Sequence, residues 1–382
     1  MGMAREHYLK GREHAAIKHA VLQQYLELLC FKTLQAQQNQ SPSFTYIDGF
    51  TGPWSARDKA YADTSFGIAL DVLNRVKKRL PNAQVKAIFC EEKQSAYRKL
   101  EEYISANAGE VEFKCIPGKV EQNVGEICDF AGPKGFRFAF LDPTGWNVDT
   151  SAITPLLKGA WSEVVFNFMA EFINRFPDFE QVHNSYSTLL GNVDWRARFD
   201  ALPKELSNDE KILRMFRDVL KERWEFRYIV EMPIKKPSRE RVFYKLVYGT
   251  RSPHGVLVFR DAQAKAEREG HAVAFEAESH KTEDLFLDLT SPDEHAEMVA
   301  AAVGVGSRAH TEKLPGRIQS LLKKNGPTQF LYFAASTMET IPVREKDVKS
   351  AVRKLREQSI VDYANEDRNG APSRKSIIRL EV

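Results

Sequence analysis

The chain has 382 residues, 43% hydrophobic, 28% charged and 11% aromatic. That balance excludes a disordered, collagenous or disulfide-stapled protein and predicts two cores rather than one. No apolar run approaches the ~20 residues of a spanning helix, and the first residues lack the apolar region of a secretory signal, so the expected compartment is the cytoplasm. The net charge of +3 is uneven: residues 306–382 hold 15 Lys/Arg against 9 Asp/Glu, a net +6 that leaves −3 for the first 305. A basic tail is the usual footprint of a polyanion partner.

Apolar residues at helical spacing predict a helix over 14–38, stopped by Ser41-Pro42-Ser43. A strand follows at 44–47, a turn at 48–54 and a helix at 65–80. The alternation continues with a strand at 85–90, a helix at 95–107, a weaker strand at 111–116, a helix at 120–130, and strands at 136–141 and 164–169. Strands and helices in this order predict a mostly parallel α/β sheet of right-handed βαβ units. The stretch from about 172 to 235 is polar and helical and reads as an insertion. Strand character returns at 241–248, and a helix is expected from Gly255 until Gly270 ends it. The domain boundary is placed at 305/306. Beyond it come a helix at 314–324, a helix or short strand at 329–335, an amphipathic helix at 344–358, and two β runs flanking a polar hairpin with Asn369-Gly370. Three helices and a hairpin is the winged-helix order.

The chemistry gathers where strands end. Asp48-Gly49-Phe50-Thr51-Gly52 follows the first strand, and Glu91 closes the second. Open α/β sheets bind ligands outside their carboxyl edges, where a carboxylate can hold ribose hydroxyls and glycines let the backbone pass close to a ligand. A tight turn and a solvated Glu-Glu pair are the plain alternatives. Asp142-Pro143-Thr144-Gly145-Trp146 turns off the fourth strand, and Asn167 ends the fifth. Asp142 can orient an amine and Trp146 can stack a base. Asp142 can equally cap the next helix. In the tail, Lys346, Lys349, Arg353 and Arg356 share one helix face, with Arg368, Arg374 and Lys375 on the hairpin. A nucleic-acid interface and a protein-docking module both remain open. The four cysteines have no metal-ligand spacing, and no metal is expected.

The layout resembles class I S-adenosylmethionine-dependent methyltransferases. Ala16-Ile17-Lys18 leading to Tyr25-Leu26, Tyr46–Pro53, Phe140–Gly145 and Arg251–Gly255 are similar to the three-Cys-motif partner family of bacterial and phage proteins, over roughly residues 10–270. The resemblance implies a Rossmann-like methyltransferase sheet with a C-terminal winged helix. It also implies S-adenosylmethionine as cofactor, held by Asp48, Gly49, Phe50, Gly52 and Glu91, with Lys18 near it by similarity to ribosomal-RNA adenine-N6 methyltransferases. Asp142, Pro143, Thr144 and Trp146 would form the catalytic turn, and DNA or RNA would supply a base amine. A three-cysteine, radical-S-adenosylmethionine-like protein is the implied partner. Thr144-Gly145 stands where adenine-N6 enzymes place an aromatic residue, and Phe50-Thr51 interrupts the usual glycine run. The alternative is therefore a catalytically inactive, nucleic-acid-binding accessory protein of a mobile-element, defence or repair system.

Overall fold

A computed structural model describes residues 13–37, 42–52, 61, 64–143, 145, 147–169, 180–191, 194–236, 239–279 and 291–381. The chain divides into two compact units, residues 1–7 with 22–251 and residues 8–21 with 252–382. The first helix, α1 (Glu13–Ala36), is shared between them.

The first unit is built on a mixed sheet. β1 (Ser43–Asp48), β2 (Gln84–Glu91), β3 (Glu112–Pro117), β4 (Phe136–Leu141) and β5 (Ser162–Phe168) are joined by parallel pairings. β6 (Tyr228–Lys236) and β7 (Arg239–Thr250) complete the order β3-β2-β1-β4-β5-β7-β6, with β7 antiparallel to both neighbours. Every residue of β1 and β5 is buried, including the polar Ser43, Thr45 and Asp48 of β1 and Ser162, Glu163 and Asn167 of β5, as expected of strands covered on both faces. β3 lies at the sheet's edge and is largely half-exposed, which explains its weaker signal. Between the strands run α2 (Ser65–Arg79), α3 (Gln94–Asn107), α4 (Val124–Ala131) and α5 (Thr154–Leu157). The Thr64 side chain accepts from Gly67 N at 3.1 Å and starts α2.

The expected insertion contains α6 (Glu180–Leu189), α7 (Trp195–Asp200) and α8 (Asn208–Asp218), but it does not extend to 235. Tyr228–Lys236 is an edge strand of the main sheet. Glu231, Pro233 and the closing lysines break its apolar pattern, and an edge strand tolerates proline because one side of its backbone needs no partner.

In the second unit, α9 (Pro253–Ser279) packs on α10 (Pro292–Val303), and α11 (Arg308–Thr311) leads into α12 (Leu314–Asn325). Then come β8 (Thr328–Gln329), α13 (Phe330–Thr340), α14 (Glu345–Glu357), β9 (Val361–Asp362) and β10 (Ile377–Leu380). The three short strands form an antiparallel sheet in the order β8-β10-β9. The units divide after Arg251, not at 305/306. Arg260, only 1% exposed, donates from Nε to Met338 O at 2.9 Å, and Glu267 accepts from Val305 N at 2.9 Å. These buried polar bonds tie α9 to the tail.

Gly270 does not end α9, which runs nine residues past it to Ser279. A β-carbon on Gly270 would lie 2.2 Å from Ile17 Cγ1, so the glycine marks a close crossing inside the helix. Alanine improves a helix by ~1 kcal/mol over glycine, whereas overpacking costs ~1–3 kcal/mol. Gly270→Ala is therefore expected to destabilise the protein by about 1 kcal/mol in denaturant titrations, and to stabilise it by a similar amount in an Ile17→Ala background.

Candidate functional site

Above the carboxyl ends of β1, β2, β3 and β4 lies a cavity of about 490 Å³, within the range of small-molecule sites. Its wall includes Gly49, Phe50, Thr51 and Gly52 from the loop after β1, Glu91 and Lys93 after β2, Gly118, Lys119 and Glu121 after β3, and Pro143 and Gly145 after β4. Asn147 and, from α6, Ser185 complete it.

The loop after β1 is stitched down by its backbone. Gly49 N donates to Phe140 O at 3.2 Å, and Thr51 N to Cys90 O at 3.0 Å. This carries the chain across the tops of β4 and β2. A β-carbon on Gly49 would sit 2.7 Å from Leu141 Cδ2, and one on Gly52 only 1.8 Å from Glu91 Oε2. Glycine at 52 is thus what lets the loop meet the carboxylate. Glu91 is 5% exposed, and its Oε1 accepts from Lys93 N at 2.7 Å. Gly118, at φ +110°, donates its N–H to Glu91 O at 2.9 Å and turns the chain off β3.

Two polar atoms of wall residues are buried without a hydrogen-bond partner among the described residues, Thr51 Oγ1 and Glu121 Oε2. An unsatisfied buried oxygen costs ~1–3 kcal/mol. Among the charged wall residues Glu91, Glu92 and Glu121 face Lys93 and Lys119, a net −1.

Asp48 is not among the residues that line the cavity. It is fully buried beneath the loop, where Oδ1 accepts from Phe50 N at 3.2 Å, and Oδ2 accepts from Ser65 Oγ at 2.9 Å and Tyr46 Oη at 3.3 Å. It lies beneath the loop after β1, which it holds in shape. Lys18 belongs to the second unit, whereas the cavity is lined by the first. Asp142 is not among the lining residues; it accepts from Asn167 Nδ2 at 2.5 Å, while Asn167 Oδ1 is buried without a partner among the described residues. Thr144 and Trp146 lie outside the described residues. Sequence reading missed Gly118, Lys119 and Glu121, although Pro117-Gly118 ends a strand just as Asp48-Gly49 does. The same strand-end rule applied to the weak third strand would have found them.

In the second unit, four of the seven cations assigned to nucleic acid are ion-paired. Lys349 meets Asp367 at 3.0 Å, Arg353 meets Glu357 at 3.6 Å and Arg374 meets Glu345 at 2.6 Å, while Arg356 contacts Glu366 and lies 3.8 Å from Asp362. Lys346, Arg368 and Lys375 take part in no ion pair among the described residues.

The fold and site define an α/β protein with a mostly parallel sheet and a cleft at its carboxyl edge, in which no described helix is long and apolar enough to cross a membrane. No family model and no curated protein matches the chain. Among solved structures, the Aeropyrum pernix ORC2 protein in its ADPNP–ADP complexes is similar over 93% of this chain and 88% of that one, at 12% identity. Its TM-score of 0.17 carries no argument for this chain.

Burial pushes the Asp48 carboxyl up to about 7, with the Asp142 charge adding to it against the hydrogen bonds from Ser65, Phe50 and Tyr46. An unfolded aspartate titrates near ~3.9. Between those values the native state holds a proton that the unfolded state has released, so stability falls as pH rises from about 4 to about 7. Asp48→Asn is expected to remove this contribution, at most about 1.4 kcal/mol per pH unit. Urea midpoints of wild type and variant, compared across that window, check it; parallel curves would refute the assignment.

Proposed function

We propose that the first unit is an S-adenosylmethionine-binding, methyltransferase-type domain that acts on an amine of a nucleic-acid base. The observation that carries this reading is the fit of Gly52 against Glu91, at 1.8 Å for an added β-carbon. It leaves a buried carboxylate beside a backbone path that a ligand can follow closely, at the strand edge where ribose hydroxyls are held in open α/β sheets. The sheet order with β7 alone reversed is the arrangement that a class I methyltransferase resemblance implies. The second unit's helix–strand–helix–helix–hairpin order suits a winged helix.

The residues present fit that cofactor. The wall has more carboxylates than ammonium groups, which suits a ligand bearing hydroxyls, amines and a sulfonium and disfavours one carrying several phosphates. Glu91 would accept from the ribose, Gly49, Phe50 and Gly52 would lie along the ligand, and Glu121 offers a second acceptor for a donor group. Asp48 keeps the loop in shape from below. When bound, S-adenosylmethionine supplies an electrophilic methyl group. Asp142, held by Asn167, would accept a hydrogen bond from the substrate amine and aim its nitrogen. A base reaches such a site only from a single strand or after leaving the duplex stack.

Calorimetric titration with S-adenosylmethionine and S-adenosylhomocysteine tests the cofactor. Gly52→Ala must displace Glu91, so affinity is expected to fall at least about tenfold, or ~1.4 kcal/mol, with the far-ultraviolet circular dichroism unchanged. Absence of binding by the wild type would sink the reading. Asp142→Ala should leave cofactor affinity within about threefold while methyl incorporation into DNA or RNA drops about a hundredfold, the scale that misplaced reactants lose. A binding protein without turnover would have no incorporation to lose.

A further inference from the structure

The cations of the second unit fall into two groups. Of the seven named above on α14 and the hairpin, four spend their charge on carboxylates of the same unit. α12 differs. From Lys313 to Met338 the sequence contains no Asp or Glu. Lys313, Arg317 and Lys324 recur at i, i+4 and i+11, which at ~100° per residue places them within ~40° of one line along the helix. Leu314, Ile318, Leu321 and Leu322 are buried on its other side.

Lys313, Lys323 and Lys324 are exposed, and none of these or Arg317 enters an ion pair among the described residues. Arg317 is half-buried, and its Nε is buried without a hydrogen-bond partner among the described residues. The rest of this half-buried side chain is exposed beside the lysines. A β-carbon on Gly316 would meet nothing within 4 Å, so the backbone beside the stripe is open to close approach.

We propose that this stripe of α12, Lys313–Arg317–Lys324 with Lys323 beside it, is the contact for the phosphodiester backbone of a nucleic acid. The proposal rests on the nucleic-acid part of the preceding reading and moves the contact away from α14 and the hairpin. The stripe extends ~16 Å along the helix, enough to face several phosphates when a duplex presents one charge per ~1.7 Å. It exposes no large apolar residue, which disfavours a lipid surface, since membrane-lying helices bury an apolar face.

The test uses the full-length protein and fluorescence anisotropy with a mixed-sequence DNA duplex at roughly 50 to 200 mM salt. For Lys313→Ala/Lys324→Ala, the slope of log affinity against log salt is expected to shrink by about two, and affinity at about 150 mM salt to fall roughly thirtyfold. Alanine favours the helix at Lys324, and the Lys313 side chain makes no capping hydrogen bond for alanine to remove, so loss of fold is not the expected cause. Lys313→Arg/Lys324→Arg should restore binding, and Lys349→Ala/Arg353→Ala should change it less than about threefold, in line with surface ion pairs already engaged. Competition by single-stranded RNA distinguishes the two sources of phosphodiester. An unchanged slope in the α12 variant, or the slope change appearing instead in Lys346→Ala/Arg368→Ala/Lys375→Ala, would overturn the proposal. So would failure of the wild type to bind either nucleic acid, or displacement by polyglutamate as readily as by DNA, which would make the partner an acidic protein. Cofactor binding by calorimetry would stand or fall separately from all of these outcomes.

Discussion

Burial of a parallel sheet on both faces governs where this protein can keep polar groups. A strand buried along its whole length leaves little room for charge, so carboxylates collect where strands emerge. Asp48 ends β1, Glu91 ends β2, and Asp142 follows β4. Where a carboxylate does lie deeper, it is fully engaged. Glu163, 3% exposed near the start of β5, accepts from Tyr25 Oη at 2.5 Å and from Thr250 Oγ1 at 2.6 Å, and Tyr25 also bonds Tyr248. Such a network joins α1, β5 and β7 through one buried acid.

The three strand-end carboxylates have separate tasks because their surroundings differ. Asp48 is sealed from water, its carboxyl raised by burial, and three donors from its own loop, from β1 and from α2 converge on it. Glu91 keeps an edge in the cavity because Gly52 leaves it room. Asp142 is steadied by Asn167, whose remaining oxygen is left unmet among the described residues. One pattern in the chain, an acid closing an apolar strand, therefore yields a loop support at Asp48, a cavity wall at Glu91 and, at Asp142, a carboxylate held by Asn167 outside the cavity lining.

Charge in the second unit has the same dependence on context. Counted along the chain, the tail is basic, and the amphipathic helix over 344–358 is its most conspicuous feature. In space, acids of the hairpin and of the helix itself lie against those cations. Partly exposed pairs contribute little to stability, but they reduce the field available to an outside polyanion. The less conspicuous α12 has cations that enter no ion pair among the described residues.

The sequence by itself determined the alternation of strands and helices, the acid-and-glycine turns after β1 and β4, the acid that closes β2, and the helix–hairpin order of the tail, because apolar periodicity and turn chemistry are local. Local signals failed where the edge strand β6 carries Glu231 and Pro233, and where Gly270 looks like a helix end but is a crossing point against Ile17. Only the tertiary structure decided that Asp48 lies beneath the loop, that Glu121 joins Glu91 at one cavity, and that α9 belongs with the tail. Each depends on contacts between residues far apart in the chain, and burial and pairing of that kind leave no periodic trace in sequence.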